Sequence, residues 1–84
     1  MAERTADEVA KIFAHAGDSV TVINTARDTD DETADEYKEK MKRNVEHLEI
    51  IKAYKKEDGS TSIWTSENFT AIDAAITSGK SKYE

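Results

Sequence analysis

Between Arg43 and Tyr54 the chain reads RNVEHLEIIKAY. This run sets an amide (Asn44), two carboxylates (Glu46, Glu49) and an imidazole (His47) on an otherwise apolar segment. Such groups could form an acid–base set or part of a metal site. Phase separates a site from the wet edges of a packing helix. Val45, Leu48 and Ile51 recur at helical spacing and mark a buried stripe. Glu46 and Glu49 then face water, and His47 lies at the stripe's edge. Asn44 takes a seam position where an apolar residue is expected. Buried, its amide would fix register or partner number at a cost in stability. A slight rotation would instead turn Val45 inward and leave Asn44 at the edge. Neither arrangement is catalytic.

The other candidate chemistries fare no better. DTDDETADEYKE, residues 28–39, resembles a calcium loop, with Asp28, Asp30, Glu32 and Glu39 at ligand positions. Thr33 stands where the sharp turn needs glycine, and Asp35 where an apolar residue packs. A helix start with an acidic first turn accounts for the same letters. His15 and His47 are the only histidines, and a closed zinc site needs three or four ligands. Serines occur, but in no Ser–His–acid arrangement on a glycine-lined turn, and no glycine-rich phosphate loop is present. The expectation is no enzyme, no metal, no cofactor and no small-molecule substrate.

Composition bounds the rest. An 84-residue chain makes one small domain with a marginal core. There is no cysteine, which excludes disulfides, thiolate metal sites and a cysteine nucleophile. The net charge is −6, and it is uneven: residues 1–39 hold 11 acids and 4 bases, residues 40–84 hold 7 and 8. An acidic chain is a poor partner for phosphates, so no nucleic acid is expected. No apolar run is long enough to span a membrane, and MAERTADEVAKIF lacks a signal-peptide core. A soluble protein made in a cytoplasm is expected.

Proline is absent and glycine stands only at 17, 59 and 79, so each helix stop matters. TADE at 5–8 reads as a capping box opening the first helix. Val9, Phe13, Ala16, Val20 and Ile23 follow in heptad steps, with Ile12 widening the stripe. The unbroken phase favours one helix through Gly17 to about Asn24. A polar loop over 25–31 leads to a second helix over about 32–56. Its stripe is Ala34, Tyr37, Met41, Asn44 or Val45, Leu48 and Ile51. Glu36–Lys40 and Glu39–Arg43 are solvated i,i+4 pairs. Residues near 55–64 read as a loop or a minimal β-ribbon around Asp58-Gly59. Thr65 would cap a third helix over about 66–78, with Trp64 and Phe69 as a hydrophobic staple. Phe69, Ile72, Ala75 and Ile76 give its buried face. Gly79 would close it, leaving 79–84 as a tail. The fold class expected is all-α: a long antiparallel helical hairpin plus a short C-terminal helix.

Trp64 has two readings. Exposed, it would anchor a partner. Buried, it would plug the open end of the hairpin with Phe69 and Tyr54, which is the simpler arrangement. The candidate interface residues are Asn44, His47, Tyr54, Trp64 and Tyr83.

Three stretches, TADEVAKIFAHA, RNVEHLEIIKAY and WTSENFTAIDAAITSGKSKY, resemble small proteins encoded among the structural genes of tailed bacteriophages, including phages of aquatic bacteria. The resemblance covers most of the chain and carries no assigned functional residue. It implies a virion or assembly component, such as a neck, tail or capsid accessory protein. Its partners would be other virion proteins or copies of itself, and it would be assembled in the host cytoplasm. The alternative is a free phage-encoded module or inhibitor in that cytoplasm, its acidic first half meeting a basic host protein.

Overall fold

The computed structural model describes residues 4–57, 64 and 66–84. It is an all-α bundle of three helices: α1 (Ala6–Asn24), α2 (Ala34–Glu57) and α3 (Ser66–Tyr83). Asp58-Gly59, the ribbon expected there and the Thr65 cap lie outside the described residues.

Both long helices open with the same four residues. At Thr5, the hydroxyl accepts the Glu8 N–H at 3.2 Å and the Thr5 N–H donates to Glu8 Oε1 at 3.1 Å. Thr33 and Glu36 repeat the exchange at 3.1 and 3.0 Å. Each box satisfies two amides that a helix start leaves open. The bond from the threonine amide holds the Glu8 and Glu36 carboxyls below the usual range. α2 thus starts two residues later than the charge pattern suggests. The expected Glu36–Lys40 pair gives way, because Glu36 is committed to its cap. Lys40 Nζ reaches Glu32 instead, at 2.7 Å, while Arg43 and Glu39 pair at 3.7 Å.

α2 is the central element. Ser19 meets His47 across the α1–α2 contact, and Lys52 meets Asp73 at 2.5 Å across the α2–α3 contact. With Tyr37 donating to the Thr25 carbonyl and Gly79 packed on Val45, those registers make α2 antiparallel to both neighbours, so α1 and α3 run parallel. Parallel helices bring two negative dipole ends together. Lys82, near the end of α3, donates its ammonium to the Ile23 carbonyl at the end of α1 and answers that charge.

The core follows the expected stripes. Val9, Ala16 and Ile23 of α1, Met41, Val45, Leu48 and Ile51 of α2, and Phe69, Ile72 and Ala75 of α3 are buried. Phe13 and Val20 are half-buried, and Ala34 is exposed. Trp64 closes one end of the bundle. Its ring lies 5.4 Å from Phe13 and 6.1 Å from Phe69, and Phe13 and Phe69 are 5.5 Å apart. The two pairs of Phe13 are edge-on and add to simple burial. Phe13 takes the place expected of Tyr54.

The two described glycines behave oppositely to expectation at one position. α1 does continue through Gly17. α3 also continues, past Gly79 to Tyr83, where a cap and a tail were expected. Gly79 is buried, and a side chain there would overlap Val45 Cγ2 and touch Ile23 at 3.4 Å. It is a packing glycine that lets α3 lie against α1 and α2 at once.

Candidate functional site

The five candidate interface residues do not form one site. Asn44 is half-buried, and its Nδ2 donates to the Lys40 carbonyl one turn back at 2.8 Å. Val45 is fully buried beside it. The rotation that turns Val45 inward is therefore the one adopted, and the amide satisfies its own helix rather than selecting a register.

His47 lies on the α1 side of α2. Its Nδ1 and Ser19 Oγ share a hydrogen bond of 2.8 Å. A serine–histidine pair raises the question of a nucleophile. Ser19 is 5% exposed, however, and its hydroxyl is taken up by this bond across the helix contact. The bond gives a buried hydroxyl its partner and fixes α1 against α2. Ser19 and His47 stand 28 residues apart, so no local spacing announces them as a pair.

Tyr54 is half-buried, with the Arg4 guanidinium 4.0 Å above its ring. Trp64 is 3% exposed and belongs to the core, so it offers no open ring to a partner. Tyr83 lies on the other flank of α2, half-buried at the end of α3. Burial, then the charges of Glu84, Glu49 and Glu46, push its phenol pKa up.

Three surface hollows accompany these residues. One, of about 370 Å³, is lined by Glu32, Glu36, Glu39, Lys40, Arg43 and Asn44. Its carboxylates are already committed to Lys40, to the Thr33 cap and to Arg43. A second, of about 390 Å³, lies between Tyr83 and the charged face of α2. The third differs in chemistry. It is a groove of about 150 Å³ between α1 and α3, lined by Phe13, Ala16, Gly17, Val20, Asn68, Ala71 and Ile72. None of its lining residues is charged, and Gly17 leaves open space above the backbone.

The calcium-like loop is organised by its own turn. Asp28 Oδ1 accepts the amides of Asp30 and Asp31 at 3.0 and 3.3 Å, and Arg27 donates to the Glu32 carbonyl at 2.9 Å. Among the described residues, no group of three or more His, Asp or Glu is arranged to hold a metal. No helix among them is long and apolar enough to cross a membrane.

The fold defines a class, a small three-helix all-α bundle with an uncharged groove between α1 and α3. No protein-family model, curated protein or solved structure matches the chain.

Proposed function

We propose that this protein is a non-catalytic docking component of a tailed-phage virion, a neck, tail or capsid accessory protein. The observation that carries the docking reading is the segregation of charge. α1 has four charged residues in 19, whereas α2 has thirteen in 24. The apolar α1–α3 groove opens on the side with few charges. A patch without charge is an easier surface to desolvate on docking than a charged one. The virion part of the reading rests on the resemblance of the three stretches named above. A marginal core also suits a component held by many neighbours, because binding stabilises the folded state by mass action.

Mass spectrometry of purified particles tests the virion reading. The protein is expected at a fixed stoichiometry to the major structural proteins. Its absence from repeated preparations would overturn that reading.

One observation favours a second reading, a free module that captures a basic host protein. Asp28, Asp30, Asp31 and Asp35 are all exposed at one end of the bundle. Pull-down from host lysate separates the two readings, since this one requires a stoichiometric partner released by salt.

A further inference from the structure

We draw no further inference here: the strongest candidate, the uncharged groove of about 150 Å³ between α1 and α3 beside Gly17, carries none, because nothing in the structure shows what covers it.

Discussion

The same substitution at two helical glycines should have opposite effects. Replacing an interior helical glycine by alanine gains about 1 kcal/mol from helix propensity alone. At Gly17 nothing stands within 4 Å of the added methyl, so that gain should appear whole. For a domain of this size, about 1 kcal/mol is a rise of about 4–8 °C in melting temperature. At Gly79 the added methyl overlaps Val45 Cγ2. Val45 cannot easily yield: it is β-branched, held to one rotamer in a helix, and fully buried. Overpacking of this kind costs about 1–3 kcal/mol. The severity of the overlap places Gly79→Ala toward the upper part of that range. Net of the propensity gain, the variant should lose about 1–2 kcal/mol.

Urea and thermal unfolding followed by circular dichroism measure both changes. A cycle with Val45→Ala supplies the control, built on the Gly17→Ala background so that every member stays folded. With Cγ2 gone, Gly79→Ala should become neutral or stabilising, a coupling of about 1–3 kcal/mol. Equal stabilisation at both glycines would refute the packing argument. So would a Gly79→Ala cost that Val45→Ala leaves unchanged, which would place the strain elsewhere on α3.

Three further outcomes follow from single contacts. Lys82→Met removes the ammonium from the Ile23 carbonyl and should cost about 0.5–1 kcal/mol in unfolding free energy, with a smaller effect in high salt. The capping carboxyls of Glu8 and Glu36 have folded pKa values below their unfolded ones, so their contribution holds above the ordinary carboxylate range and fades as pH falls through the folded values. Thr5→Ala with Thr33→Ala should therefore flatten the acid limb of the stability curve as well as costing about 1 kcal/mol per cap. Tyr83 has the opposite sign: its folded pKa is raised, so its contribution holds below the ordinary tyrosine value and is lost as pH rises through the folded one. Ultraviolet titration should show one tyrosine ionising late, and Tyr83→Phe should remove that step.

Periodic burial was legible in the sequence because it needs only local spacing. The seams of α1 and α2 and the face of α3 from Phe69 to Ile76 were visible in the spacing of apolar residues. The first capping box was legible for the same reason. The second, at Thr33, carries the same four letters but hides within a run of acids that also looks like loop and ligand. Gly79 departs from the expected cap because a glycine late in a helical pattern has two meanings. It can stop a helix, or admit a neighbour, and only the position of Val45 decides. The Ser19–His47 and Lys82–Ile23 bonds were not legible at all, because they join residues that only the packing of three helices brings together. The candidate interface residues come from the seam edge of the second helix, the Trp64 region and the C-terminal segment. The structure distributes them among a helix's own hydrogen bonds, the core and two flanks of α2.

What remains is an asymmetry between the two glycines. A glycine inside a helix costs about 1 kcal/mol relative to alanine, a large share of what a core this small supplies. At position 79 the fold itself accounts for that cost, since Val45 leaves no room for a methyl. At position 17 no described side chain accounts for it: an alanine would fit, and it would continue a row already composed of Ala10 and Ala14. Gly17→Ala should therefore strengthen the fold where Gly79→Ala weakens it, and a loss of stability at Gly17 would mean that the helix surface there is not open.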